Sequence, residues 1–282
     1  MKPRKADMPE VDLLDFVQPC KRVAKQALGK HAGEPATGGF ARWVHLVIHC
    51  YRIEDEHSYR TTENRLEYLT EIREVLDLNQ GDVPEYTTIY KSFDRLKMWV
   101  WRALLRVSAE QHPQSGHIAL DSTFFERGHA SKYYLQRSDR EIQKLKVTTI
   151  TDTESLAELD VQCSIHWKHD VKAGPQVVRR NAGDLLSVAA DKAFHSWINT
   201  FEFYTLDVDP LVLRQGSKPE TVGHNALIRD ARYSQRWMAE TSYSATKRSL
   251  GSAVRAHCWY REFREIVLKF AVSNIEQLCE PL

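Results

Sequence analysis

The feature that most restricts the fold is a change of hydrophobic pattern near residue 112. Up to about residue 110, apolar residues recur at helical spacing, whereas strand-like segments begin at His117. Between them, HPQSG at 112–116 combines proline, serine and glycine, which favour turns. The sequence therefore predicts a helical N-terminal region over residues 1–112 and a second region over residues 117–282.

The second region has a characteristic order of predicted elements. Three strands come first, the last two as a hairpin, and a helix, a strand, a helix and a fifth strand follow. Two long helical stretches then run from Asn225 to about Ser249 and from Val254 to Leu278. This order predicts the α/β class, with a mixed sheet flanked by helices.

The N-terminal region contains a possible helix-turn-helix. Leu66–Leu78 and Thr87–Leu105 are predicted amphipathic helices on either side of the breaker stretch NQGDVPEY. In such a motif the second helix contacts DNA, and Lys91, Arg95 and Lys97 would face phosphate. Plain packing within a helical bundle is the alternative, because the loop is longer than the three or four residues usual in this motif.

Charge is distributed unevenly along the chain. The formal net charge is +1, yet residues 214–269 hold eleven Lys and Arg against five Asp and Glu, a local net charge of +6. A polyanion such as DNA would be attracted to this segment. A solvated basic helix face is the alternative.

Several classes of protein are disfavoured by composition. No apolar run approaches the roughly 20 residues of a membrane span, and the first ten residues lack a signal-peptide core. The five cysteines are scattered and include no CxxC pair, so neither a disulfide framework nor a cysteine zinc site is indicated. We therefore expect a cytoplasmic protein with no membrane partner.

Two predicted strands carry an acidic residue inside an apolar run. These are Asp121 in ALDST and Asp191 in AADKA. Burying a carboxylate costs free energy unless it is paired or coordinates a metal, so both are candidates for catalysis or metal binding. An Asp at a strand end is also a common cap or turn former, so neither is specific alone.

A third acidic candidate lies in RYSQRWMAETSYSATKRSLG. Tyr233, Arg236, Glu240 and Lys247 are three, four and seven residues apart, and on a continuous helix they would share roughly one face. Glu240 would then face a metal, Arg236 and Lys247 anionic oxygen, and Tyr233 a phosphate or base. The alternative is an ordinary Glu–Arg ion pair on a solvated helix.

This arrangement resembles the DDE transposases of prokaryotic insertion sequences, in particular families four and five in a branch common in haloarchaea. The signature of that group is Tyr, two residues, Arg, three residues, Glu, six residues, Lys. Tyr233, Arg236, Glu240 and Lys247 match it without a gap. The resemblance extends over roughly residues 40–278 and includes IALDSTFFERGHASKYY and SVAADKAFHSW as the two Asp strands.

The chain departs from the group in two respects. The interval from Asp191 to Glu240 is 49 residues, which leaves no room for the large β-rich insertion of some relatives. The near-neutral charge also differs from the strongly acidic composition usual in halophiles.

The resemblance implies a ribonuclease H-like catalytic domain over 117–282, beside an N-terminal α-helical DNA-binding region. Asp121, Asp191 and Glu240 would be the catalytic residues and would hold two Mg²⁺ or Mn²⁺ ions. Tyr233, Arg236 and Lys247 would bind DNA. The implied reaction is hydrolysis at element ends followed by transfer of the 3′ hydroxyl into target DNA.

The partners implied are double-stranded DNA, as terminal inverted repeats and target, and a second copy of the chain when DNA is bound. Such a protein would be associated with the nucleoid. Two other functions remain open: a non-cutting DNA-binding regulator derived from a transposase, and a structure-specific nuclease of the same fold.

Overall fold

The computed structural model describes residues 11–128, 144–165 and 168–279, which form two compact units. Unit 1 consists of Met1–Gln111, Thr246–Gly251 and Tyr260–Leu282, and unit 2 of His112–Ala245 and Ser252–Trp259. Part of the IALDSTFFERGHASKYY segment, residues 129–134, lies outside the described residues.

The described part of unit 1 is helical. Its first helix begins at Asp12, whose carboxylate accepts hydrogen bonds from the backbone N–H of Leu14 (2.8 Å) and Asp15 (3.2 Å). The second helix is buried along almost its whole length and forms the centre of the unit. The helices before residue 111 are α1 (Leu13–Leu28), α2 (Arg42–Glu54), α3 (Tyr59–Tyr68), α4 (Thr70–Val75), α5 (Tyr86–Arg95) and α6 (Met98–Glu110).

The bounds predicted for the two helices of the helix-turn-helix are wrong. The stretch 66–78 is interrupted at Leu69 (ψ 89°), and the stretch 87–105 at Leu96 (ψ 111°). The Leu96 carbonyl accepts a hydrogen bond from the Trp101 indole (3.0 Å), a partner that periodicity does not reveal. Four short helices therefore replace the two long ones.

Unit 2 contains a mixed sheet, as predicted. In the described residues the strand order is β3-β2-β1-β4-β5, with β6 beside β1. The β1–β2 and β2–β3 pairs are antiparallel, whereas β4 pairs in parallel with both β1 and β5. The strands are β1 (His117–Arg127), β2 (Lys144–Asp152), β3 (Glu158–Ser164), β4 (Ser187–Ala190), β5 (Asp209–Val212) and β6 (Ala253–Val254).

Helices flank this sheet. They are α7 (Asp170–Asn181), α8 (Trp197–Thr205), α9 (Pro219–Asp230) and α10 (Trp237–Leu250), the last of which belongs to unit 1 beyond residue 245. Ile118, Leu120 and Val188 share a buried core with Val177 of α7. Because side chains alternate along a strand, residues 119, 121 and 189 point to the opposite face.

The long helix predicted over 225–249 is interrupted. Helix α9 ends at Asp230, Ala231 adopts an extended conformation (ψ −155°), and a 3-10 helix (Arg232–Arg236) precedes α10. The break precedes Tyr233, so the stretch from Tyr233 to Lys247 stays helical, with Tyr233 and Arg236 in the 3-10 helix and Glu240 and Lys247 in α10.

The last helix, α11 (Trp259–Glu276), groups with unit 1 from Tyr260 onward, although the sequence analysis placed it in the catalytic domain. Arg261 forms an ion pair with Asp94, and Asn274 Nδ2 donates to Ser108 Oγ (3.1 Å). These contacts tie the last helix to α5 and α6. Of the helices that the structure describes, none has both the length and the apolar content needed to cross a bilayer.

Candidate active site

Asp121, inside β1, and Asp191, directly after the end of β4, lie side by side on two parallel strands. The register pairs Ala119 with Ala189 and Leu120 with Ala190, and each aspartate directly follows the last pair. Both point away from the core beneath the sheet, by strand alternation. The sheet thus brings together two carboxylates that are 70 residues apart in the chain.

Both aspartates also make the local contacts expected of turn formers. Asp121 Oδ1 accepts from the backbone N–H of Ser122 (2.8 Å), and Asp191 Oδ1 from that of Lys192 (2.6 Å). These bonds occupy one oxygen of each carboxylate. Asp191 thereby caps the 3-10 helix that follows it, whereas Asp121 makes the same contact inside β1, and both keep a second oxygen for a site role.

Arg236 interacts with all three predicted carboxylates. Its Nη1 donates to Glu240 Oε1 at 3.2 Å. Partial burial opposes the charged form, but Tyr233, Glu240, Asp121 and Asp191 together raise the pKa of Arg236 above its ordinary value. The charge of one guanidinium thus interacts with three acidic residues from separate parts of the chain.

The donor set suits hard divalent cations, because carboxylate oxygens are the ligands that Mg²⁺ and Mn²⁺ prefer. Glu240 is paired with Arg236 at 3.2 Å, and the described side chains do not form a coordination shell. Within residues 11–128, 144–165 and 168–279, no group of three or more His, Cys, Asp or Glu is placed to hold a metal ion. The residue types therefore fit Mg²⁺ or Mn²⁺, whereas the ion pair that Glu240 makes among the described residues is with Arg236.

Tyr243 is a site residue that the sequence analysis missed. Its hydroxyl donates to Asp121 Oδ2 at 3.0 Å. Burial, and then the charge of Asp121, raise the pKa of Tyr243 above its ordinary value, which keeps the hydroxyl protonated as a donor. Its position three residues after Glu240, on the same helix face, was the available signal.

Asp121 itself is half-buried. Burial raises the pKa of its carboxyl above the ordinary value, and this outweighs the opposite effects of the Ser122 N–H, Tyr243 and Arg236. The Glu240 charge adds to the increase. A further cation at this point would be favoured, because it would lower the repulsion between the two carboxylates.

The 3-10 helix that carries Tyr233 and Arg236 is held against the sheet. Gln235 Oε1 accepts a hydrogen bond from Thr153 Oγ1 (3.2 Å). Tyr233 packs beside an apolar cluster that includes Ala189 and Leu211, and the charge of Arg236 lowers the pKa of its hydroxyl against the larger effect of burial. The position of Arg236 therefore depends on packing as well as on charge.

The remaining predicted DNA contacts lie in unit 1. Lys247 is on α10, seven residues after Glu240, in the segment that groups with unit 1. Lys91, Arg95 and Lys97 have exposed side chains.

Comparisons with known proteins agree with this picture at the level of the family. The family profile described as "Transposase DDE domain" matches residues 112–275, more than half of the chain. A solved structure of a piggyBac transposase synaptic complex with hairpin DNA is similar with a TM-score of 0.46 and 8% identity, over 98% of this chain and 67% of that chain. That similarity is too weak to establish a shared fold. No curated protein matches the sequence significantly.

Proposed function

Since this chain belongs to the family of transposases with a DDE domain, we propose that it is a transposase that hydrolyses the ends of a DNA element and transfers the 3′ hydroxyl into target DNA. The observation that carries this proposal is that the β1–β4 register sets Asp121 beside Asp191, while the hydrogen bond from Tyr243 to Asp121 brings the helix of Glu240 to the same strand. A structural ion pair needs one acid, whereas two-metal phosphoryl transfer uses several carboxylates close together.

Asp121, Asp191 and Glu240 are the residues that would hold two Mg²⁺ or Mn²⁺ ions. When bound, these ions supply charge neutralisation at the reacting phosphate and lower the pKa of an attacking hydroxyl. In this proposal Tyr243 orients the Asp121 carboxylate through its hydrogen bond.

Arg236 has a second role in the proposal. As the central cation it compensates the three acids in the free protein, and its planar N–H groups suit a phosphate of bound DNA. Tyr233 positions that guanidinium, and Lys247 provides a further phosphate contact.

The finer family assignment is also part of the proposal. It places the chain in insertion-sequence families four and five, in the haloarchaeal branch, with a ribonuclease H-like core and a DNA-binding N-terminal helical region. The mixed sheet and the Tyr233–Lys247 spacing support it. The protein would act on nucleoid DNA in the cytoplasm as a homodimer that synapses two ends.

A strand-transfer assay distinguishes this function from its two alternatives. A labelled oligonucleotide that ends in a precut 3′ hydroxyl at the element terminus is incubated with protein, Mg²⁺ and supercoiled target DNA. Joined product is the result expected of a transposase. Cleavage without joining would identify a nuclease, and binding without either reaction would identify a regulator.

A further inference from the structure

Unit 1 contains a cavity that the reaction described above does not use. It has a volume of about 410 Å³ and lies between the loop at Pro35–Thr37 and the break that separates α5 from α6. This volume is within the range of small-molecule and nucleotide sites.

The cavity is basic. Arg42, Arg95 and Lys97 line it, and no acidic residue is among its described lining residues. Glu34 Oε2 lies 2.9 Å from Arg42 Nη2 and offsets part of that charge, whereas Arg95 makes a long contact with Thr37 Oγ1 (3.4 Å). The first turn of α6 also borders the cavity, and its positive dipole end favours an anion.

An aromatic ring lines the same cavity. Trp99 is 48% exposed although it is a large apolar side chain. The ring of His31 meets it edge-on, with the ring centroids 6.5 Å apart. A solvent-accessible indole next to two or three cations is the combination by which proteins bind the base and phosphate of an unpaired nucleotide.

We propose that this cavity binds an unpaired nucleotide of the DNA substrate, with its phosphate against Arg95 and Lys97 and its base on Trp99. The inference rests on the proposed function, since DNA is the ligand. An unpaired nucleotide is required because a base within a duplex is stacked on both sides and does not reach a ring inside a cavity. The break at Leu96 creates the site, since it places Arg95, Lys97 and Trp99 around one opening.

Fluorescence anisotropy on the full chain tests the proposal. The probes are a fluorescein-labelled duplex with a short single-stranded extension and a blunt duplex of the same paired sequence. We expect the wild-type protein to bind the extended duplex more tightly than the blunt one. In Trp99→Ala the affinity for the extended duplex should fall by about fivefold or more, while the affinity for the blunt duplex is retained.

The cations are tested by salt dependence. Each single-strand phosphate that a cation neutralises adds about 0.7 to the slope of log K against log salt. For the extended duplex, Arg95→Ala combined with Lys97→Ala is therefore expected to reduce this slope by roughly 1.4. Arg22→Ala and Tyr68→Ala remove an exposed cation and an exposed ring elsewhere in unit 1, and both should leave the preference and the slope unchanged.

Each contrary outcome has a distinct meaning. Wild-type protein that binds both duplexes equally, or a Trp99→Ala variant that keeps the preference, would overturn the cavity proposal and leave the transposase proposal standing. Failure of the wild-type protein to bind either duplex would overturn both. Saturable binding of a free deoxynucleoside monophosphate that Trp99→Ala abolishes, without any preference for the extended duplex, would assign the cavity to a free nucleotide and overturn its assignment to DNA.

Discussion

At Asp121, burial and hydrogen bonding act on the same carboxyl in opposite directions. Burial raises its pKa, while the Ser122 N–H and the Tyr243 hydroxyl stabilise the charged form. The hydroxyl bond also fixes the direction of Oδ2. The orientation of the first aspartate therefore depends on a residue outside the family signature.

Tyr243→Phe tests this positioning role. Loss of a hydrogen bond to a charged acceptor is worth about 1.5–3 kcal/mol, so we expect the nicking rate at limiting Mg²⁺ to fall by roughly tenfold or more. The half-saturating Mg²⁺ concentration should rise, and DNA affinity and the melting temperature should stay close to the wild-type values. Tyr204→Phe, on an exposed tyrosine of α8, is the matched control. An unaltered metal dependence in Tyr243→Phe would remove the residue from the site.

Arg236→Ala tests whether the central cation also contacts DNA. If it does, the slope of log K against log salt on duplex DNA should decrease by about 0.9, the value for one phosphate. Arg236→Lys should not restore full affinity, because an ammonium lacks the planar donors of the guanidinium. Arg179→Ala, a solvent-exposed arginine on α7, is the control. A slope that stays at the wild-type value in Arg236→Ala would limit Arg236 to compensation of the three acids.

At the scale of elements, α10 is fixed to the sheet through the β2–β3 hairpin. Ser242 Oγ donates to the Leu156 carbonyl (3.0 Å) in the hairpin turn. Asp152 organises that turn, since its carboxylate accepts from the backbone N–H of Ser115 (2.7 Å), Glu154 (3.0 Å) and Ser155 (2.9 Å). The hairpin thus supports the helix that carries Glu240 and Tyr243.

A buried glutamate in this hairpin predicts a pH dependence of stability. Burial raises the pKa of Glu158 to about 8, against smaller opposite effects of Ser242 and Thr151. A carboxyl with a raised pKa in the folded state stabilises the fold while protonated, so its contribution is present at low pH and is lost as the pH rises toward 8. Between about pH 5 and 8 we expect the free energy of unfolding to decrease by up to about 1.4 kcal/mol per pH unit from this group.

Urea unfolding of Glu158→Gln across this range provides the measurement. The slope of the unfolding free energy against pH should be smaller in the variant by the contribution of one proton, because glutamine does not ionise. Glu154→Gln, at the exposed turn of the same hairpin, should retain the wild-type slope. A Glu158→Gln curve parallel to that of the wild type would show that Glu158 does not titrate on unfolding.

The sequence predicted strands better than helix ends. The order of the first five strands, the hairpin and the mixed sheet followed from alternating patterns and turn residues. The breaks at Leu69, Leu96 and Ala231 did not, because the apolar spacing continues across them; at Leu96 the carbonyl instead accepts from the Trp101 indole. The helical spacing of apolar residues does not indicate such hydrogen-bond partners.

The site was predictable to a similar extent. Asp121 and Asp191 were identified as candidates because each lies in an apolar run. Arg236 and Glu240 were identified by the spacing of the signature. Tyr243 was missed because its role depends on contact with a strand 122 residues away in the chain. The place of Lys247 in unit 1 was likewise not visible in the sequence.

At the scale of the whole molecule, the family match and the three candidate carboxylates fall in the same part of the chain. The matched residues 112–275 include the sheet, Asp121, Asp191 and Glu240. Unit 1 also takes in α11 and the end of α10, so both ends of the chain contribute to it. In the proposal, one unit cuts and joins DNA and the other provides further DNA contacts.

Nicking of an oligonucleotide that carries an element end, with and without Mg²⁺, tests the central claim most directly. Asp121→Asn, Asp191→Asn and Glu240→Gln should each reduce the rate by at least about 100-fold, as expected when a charged group at the reacting centre is removed, with DNA affinity retained. Asp209→Asn, an exposed acid of the same sheet, should nick at the wild-type rate. Full activity in any one of the three variants would contradict the assignment of that carboxylate to the active site.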